Sequence, residues 1–140
     1  MNFVSRWVVG DRHPIDAGDL DDAGAIRRTS LERWVTDACA AYVARCSTLG
    51  AAASARITAL PDVTAGGSPS GVTVSAGATE LLPAAVVVAV RLRFTGGHDD
   101  QVLNARCEVT RVASDGSAEP LGDDVRDELI ALEHAASFTN

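Results

Sequence analysis

From about Arg28 to Cys46, apolar side chains recur every three or four residues, at Leu31, Trp34, Val35, Ala38, Cys39, Tyr42, Val43 and Cys46. That period puts them on one face of a helix, and Thr29 or Ser30 can cap its start. Ala40, Ala41 and Ala44 fill much of the remaining surface, so few large polar groups are left to meet water. The pattern predicts a central helix covered on more than one side. From Gly71 the period changes to two. Val72, Val74, Ala76 and Ala78 form one row of a strand that runs to about Leu81; Ala85 to Phe94 forms a second strand and Val102 to Val112 a third. Gly96-Gly97 and Asp115-Gly116 supply turns with permissive backbone angles, which makes the sheet an antiparallel meander.

Ahead of the helix, Phe3 to Val9 alternates and reads as a first strand, with Phe3, Ser5, Trp7 and Val9 inward. Gly10 to Gly24 is loop chemistry: aspartates, a histidine, a proline and glycines. Ser54 to Leu60 is a short strand before Pro61, and residues 65–70 form a Gly/Ser/Pro linker. Near the C-terminus, Val125, Leu129 and Leu132 lie on one side of a helix over about 123–136, with acids in its first turn. A long helix, about 28–46, followed by a run of antiparallel strands is an α+β layout in which a curved sheet wraps the helix.

Composition narrows this further. A chain of 140 residues with 46% hydrophobic residues fits one domain, 1–140, with a real core. The longest apolar run, Leu81 to Val90, is broken by Pro83 and is about half what a membrane span needs. No basic region followed by an apolar block opens the chain, and three cysteines lack metal-ligand spacing, so a reducing, cytoplasmic setting is expected. A net charge of -7 argues against a broad nucleic-acid surface, while leaving room for a local arginine patch that grips a small anion.

The candidate chemistry lies in Asp19-Leu20-Asp21-Asp22-Ala23-Gly24, followed by Trp34 ten residues after the glycine. Five aspartates between Asp11 and Asp22 cannot all be buried, and turns and caps favour aspartate in any case. This D-x-D-x-x-G, placed after a first strand and before an aromatic-bearing helix, resembles the 4-hydroxybenzoyl-CoA thioesterase family of the hot-dog fold. The motif covers the first third of the chain, and the remainder agrees by strand pattern. The resemblance implies hydrolysis of an acyl-CoA or similar thioester with no metal and no bound cofactor, coenzyme A being part of the substrate. It assigns Asp21 as the carboxylate, Gly24 as the turn, and the Arg28 and Thr29 backbone amides as the oxyanion donors. It also implies a homodimer or homotetramer with pockets between subunits.

Thioester hydrolysis independently asks for this set. A carboxylate must stand beside the carbonyl carbon as nucleophile or base, and donors must face the developing oxyanion, which a helix N-terminus supplies. Arg27 and Arg28 at that positive helix end call for anions, either Asp21 and Asp22 or a ligand. Asp37 is a rival acid: a related branch, resembling phenylacetyl-CoA thioesterases, carries its carboxylate on the helix, whereas a pair with Arg33 four residues earlier would leave it structural. Arg91, Arg93 and Arg106 on neighbouring strands are candidates for coenzyme A phosphate contacts. The three histidines are scattered, so no metal site is expected, and no G-x-S-x-G elbow points to a serine hydrolase. Ala25-Ile26-Arg27-Arg28 stands where many family members carry H-V-N-N, which keeps open an alternative from another class, a non-catalytic hot-dog module that binds an acyl thioester or lipid.

Overall fold

The computed structural model describes residues 7–49, 53–62, 69–97 and 101–138. Strand β1 (Val9–Pro14) leads through one turn of 3-10 helix (Ala17–Asp19) to helix α1 (Arg28–Arg45). Then come β2 (Ala53–Ala59), β3 (Gly71–Leu81), β4 (Val86–Thr95), β5 (Gln101–Val112), the two-residue β6 (Ala118–Glu119) and helix α2 (Asp123–Phe138). The sheet order is β1-β3-β4-β5-β2, every pairing is antiparallel, and β6 adds to β5.

Register explains why this sheet holds the helix. Val72, Val74, Ala76 and Ala78 of β3 lie opposite Phe94, Leu92, Val90 and Val88 of β4, and Val90, Val88 and Val86 lie opposite Ala105, Cys107 and Val109 of β5. All of these side chains are buried, with Leu31, Trp34, Val35, Cys39, Tyr42 and Cys46 of α1, in one apolar cluster. Small residues on β3 and β5 leave room for the large ones on α1, and Trp34 meets Phe94 tilted at 59° with centroids 6.3 Å apart. Cys39, Cys46 and Cys107 are free thiols in this core, as their apolar surroundings imply.

α2 closes one end of the core. Val125 and Leu129 are fully buried, and Glu133 reaches inward to accept hydrogen bonds from the Tyr42 hydroxyl (2.8 Å) and the Ala78 N–H (3.2 Å). The Ala78 N–H is available because it lies on the β1 side of β3, just past Ala76, where the pairing with β1 ends at Val9. Glu128 takes the other end of the same seam, accepting from the Ser47 hydroxyl, the Thr48 N–H and the Thr48 hydroxyl just beyond α1.

Three expectations need correction or qualification. The first described strand is Val9–Pro14, so the expected strand over 3–9 shares only Val9 with it, and residues 1–6 lie outside the described residues. The polar segment Gly10–Pro14 becomes a strand because the edge of β3 offers it successive partners, from Ser75 back to Gly71. At a sheet edge the row Val9, Asp11 and His13 need not be apolar, so tertiary pairing overrides the local loop chemistry. Second, α1 is covered on one side only: Thr36, Asp37, Ala40, Ala41 and Ala44 lie outside its buried face. Third, the expected 65–70 linker lies outside the described residues except for Pro69 and Ser70. Among the described residues no helix is long and apolar enough to cross a membrane.

Candidate active site

Between β1 and α1 the chain makes a small closed loop. Leu20 and Ile26 form an isolated antiparallel bridge, the Asp21 N–H donates to the Ala25 carbonyl (2.8 Å), and the Gly24 N–H returns to the Asp21 carbonyl (3.0 Å). Gly24 has φ of 81°, a left-handed conformation that a side chain would strain, which is why glycine is needed there. Asp21 Oδ1 accepts from the Ala23 N–H (2.9 Å) and the Ala25 N–H (3.0 Å), so the carboxylate braces the turn it sits on. Ile26 is buried and ties the far side of the loop to the core.

The loop delivers the chain to a bare helix end. Arg27 is the extended N-cap residue of α1 and makes no side-chain cap, and no acid occupies the first turn. The Ser30 and Leu31 N–H groups both return to the Arg27 carbonyl (3.1 and 3.2 Å), while those of Arg28 and Thr29 have no acceptor among the described residues. Two unpaired amides at the positive end of an 18-residue helix form a donor pair for an anionic oxygen. The anions that meet Arg28 come from elsewhere in the chain: its guanidinium pairs with Asp62 (2.7 Å) and Glu32 (3.5 Å), not with Asp21 or Asp22.

Asp19 opens the D-x-D-x-x-G motif, and it is the one buried aspartate of the loop, 5% exposed. Its Oδ1 accepts from the Ser30 hydroxyl (2.8 Å) and Arg33 Nη2 (2.9 Å), and its Oδ2 accepts from the Asp16 N–H (3.1 Å). Burial pushes this carboxyl up, but the hydrogen bonds from Ser30, Asp16 and Arg33 outweigh it and hold the group below the ordinary aspartate value. Arg33 also lies over the Trp34 ring, 5.8 Å from its centroid. The available signal was the placement of Ser30 and Arg33 three residues apart on one helix face.

Arg33 therefore pairs with Asp19 rather than with Asp37. Asp37 has no hydrogen-bond or ion-pair partner among the described residues and lines an open cleft of about 280 Å³ between α1 and β1, with Trp34, His13, Asp11, Arg45 and Val74. His13 Nε2 and Asp11 Oδ2 stand 3.7 Å apart on its rim. Asp21 and Gly24 lie on the loop that leads into α1 and Arg28 and Thr29 are its first two residues, while Asp37 lies roughly 12 Å further along the helix axis. Arg91, Arg93 and Arg106 are on neither site. They alternate with the buried row of β4 and β5, opposite Asn104, Val102 and Ala89, and so point from the sheet face that α1 does not cover. Among the described residues no group of three His, Cys, Asp or Glu could hold a metal ion.

This order of strands around one long helix is the hot-dog fold. The chain aligns over 91% of its length with 96% of a thioesterase from Thermus thermophilus that was complexed with coenzyme A and zinc, at 17% identity and a TM-score of 0.69. It aligns over 86% of its length with 97% of the 4-hydroxybenzoyl-CoA thioesterase from Pseudomonas sp. strain CBS-3, at 17% identity and a TM-score of 0.60. A variant of a 4-hydroxybenzoyl-CoA thioesterase complexed with 4-hydroxybenzoyl-CoA gives 16% identity and a TM-score of 0.63, over 86% of this chain and 97% of that one. No protein-family model and no curated protein matches the sequence.

Proposed function

We propose that this protein hydrolyses an acyl-CoA or a related acyl thioester. The observation that carries the reading is the pair of unpaired amides, Arg28 and Thr29, at an uncapped helix start that follows directly on a carboxylate-bearing loop. In this mechanism the thioester oxygen takes hydrogen bonds from the two amides, which stabilise the negative charge that develops there. Asp21 uses Oδ1 to brace its loop and leaves Oδ2 free to attack the carbonyl or to take a proton from water. If Oδ2 attacks, the coenzyme A thiolate departs and leaves an acyl-aspartyl anhydride that water then cleaves to the free acid and the restored Asp21. If Oδ2 takes the proton, the activated water adds to the carbonyl and the thiolate leaves directly with the free acid as product. All chemistry in this scheme is performed by the chain and water. The test is thiol release from a panel of short, long and aromatic acyl-CoAs. Release from at least one is expected; binding without release from any would favour a non-catalytic module of the same fold.

A second reading of the acid is favoured by Asp37, the unpaired carboxylate in the cleft against Trp34. Either acid works in the setting of a homodimer, since β1 and β2 are the outer strands of the described sheet and a lone edge strand is prone to pair. Size exclusion with light scattering is expected to give a dimer or a tetramer, and a monomer at micromolar concentration would count against pockets shared between subunits.

A further inference from the structure

We propose that Asp19 is a positioning residue for the hydrolytic reaction: it fixes the Asp21 loop against the start of α1 and so controls turnover without touching the thioester. The proposal rests on the thioesterase reading of this site.

Asp19 uses every polar group it has. Its two carboxylate oxygens receive Ser30, Arg33 and the Asp16 N–H, its carbonyl receives the Arg27 N–H (2.8 Å), and its own N–H donates to the Asp16 carbonyl (3.0 Å). Ser30 and Arg33 belong to the first two turns of α1, the part of the helix that presents the Arg28 and Thr29 amides. The Arg27 N–H bond fixes the other end of the same loop. Residues 20–26 are therefore a closed loop with both ends pinned by one residue, and Asp21 sits two residues from that pin, at most about 7 Å away along the chain. A displacement of about 1 Å between a reacting group and its partner can lower a rate by about 100-fold, so a pin this close governs the distance from Asp21 to the oxyanion amides.

The pin also needs a carboxylate. Three donors converge on Asp19, and asparagine would turn an N–H₂ group toward Arg33 or the Asp16 N–H in place of one acceptor.

The test combines steady-state kinetics on the best acyl-CoA with amide hydrogen exchange, for Asp19→Ala, Asp19→Asn and Ser30→Ala. For Asp19→Ala, kcat is expected to fall by about 30-fold or more with KM within about threefold, Asp19→Asn to fall between it and wild type, and Ser30→Ala to lose a few-fold. Exchange at the Ala25 and Arg27 amides is expected to quicken by more than about tenfold while the Leu129 amide in α2 stays protected. Unchanged kcat in the variants, a loss confined to KM, or unchanged exchange at Ala25 and Arg27 overturns the proposal. Should Asp19→Ala fail to fold, Asp19→Asn and Ser30→Ala carry the same decision. Absence of thiol release from the wild-type protein instead overturns the thioesterase reading, and the positioning role of Asp19 with it; release by wild type that is equalled by Asp19→Ala overturns the positioning role alone.

Discussion

Asp21→Asn is expected to lower kcat for acyl-CoA hydrolysis by about 10³-fold while leaving KM within about threefold. Asparagine keeps an oxygen that can accept the Ala23 and Ala25 N–H groups, so the brace inside the loop survives and only the ionised group is lost. Thermal stability should stay within about 0.5 kcal/mol of wild type, the usual range for an exposed substitution that keeps its hydrogen bonds. Loss of turnover with an unchanged melting curve would therefore locate the chemistry at Asp21. Full activity in Asp21→Asn, together with loss in Asp37→Asn, would move the acid to the cleft beside Trp34 and leave Asp21 as a loop residue only.

The largest stability effect is expected at Glu133. Glu133→Ala removes the acceptor for two buried donors at once, the Tyr42 hydroxyl and the Ala78 N–H that lies past the end of β1. Each unsatisfied buried donor costs about 1–3 kcal/mol, so a loss of about 3 kcal/mol is expected, or about 10 °C in Tm for a domain of this size. Glu133→Gln retains an acceptor oxygen and should lose far less.

The pH dependence separates charge from shape. Burial pushes the Glu133 carboxyl above its ordinary value near 4.5, against the opposing hydrogen bonds from Tyr42 and Ala78. Folding thus favours its protonated form, and its contribution to stability is greatest below that ordinary value and declines as pH rises through the higher folded value. Glu128 has the opposite sign. Its bonds from the Cys46 thiol, the Thr48 N–H and the Ser47 hydroxyl hold it down at about 2, so its contribution is present above 4.5 and is lost as pH falls toward 2. Melting curves between pH 4 and 8 should show Glu133→Gln gaining on wild type as pH rises; parallel curves would mean that folding does not change the proton affinity of Glu133.

Much of the fold was legible because its main elements announce themselves by period. α1, β3, β4, β5 and α2 lie within a few residues of their expected bounds, since each presents a regular apolar row to one common core. β1 was not legible. Asp11, Arg12 and His13 carry no strand signal, and it is the open edge of β3 that makes them a strand. The alanines on α1 misled in the other direction, because alanine is often buried but is also the best helix former, so Ala40, Ala41 and Ala44 sit on the exposed face of the helix.

For the site, the ingredients were written in the chain itself: an acid-rich loop, a glycine that permits the tight turn, and a helix start without a capping acid. Those follow from local backbone chemistry, in which neighbours in the chain are neighbours in space. Which aspartate is buried and which stays on its loop depended on the fold. Asp19 and Asp21 are two residues apart with the same side chain, and what distinguishes them is contact with residues further along the chain. Asp19 meets Ser30 and Arg33, 11 and 14 residues later, and is buried, whereas Asp21 meets only its own loop and stays exposed. Likewise, alternation puts Arg91 and Arg93 on one face, but packing of the alternate row of β4 against α1 sends both to the far side of the sheet. Burial and partner choice depend on which surfaces are brought together, and that is a property of the folded chain that no local pattern contains.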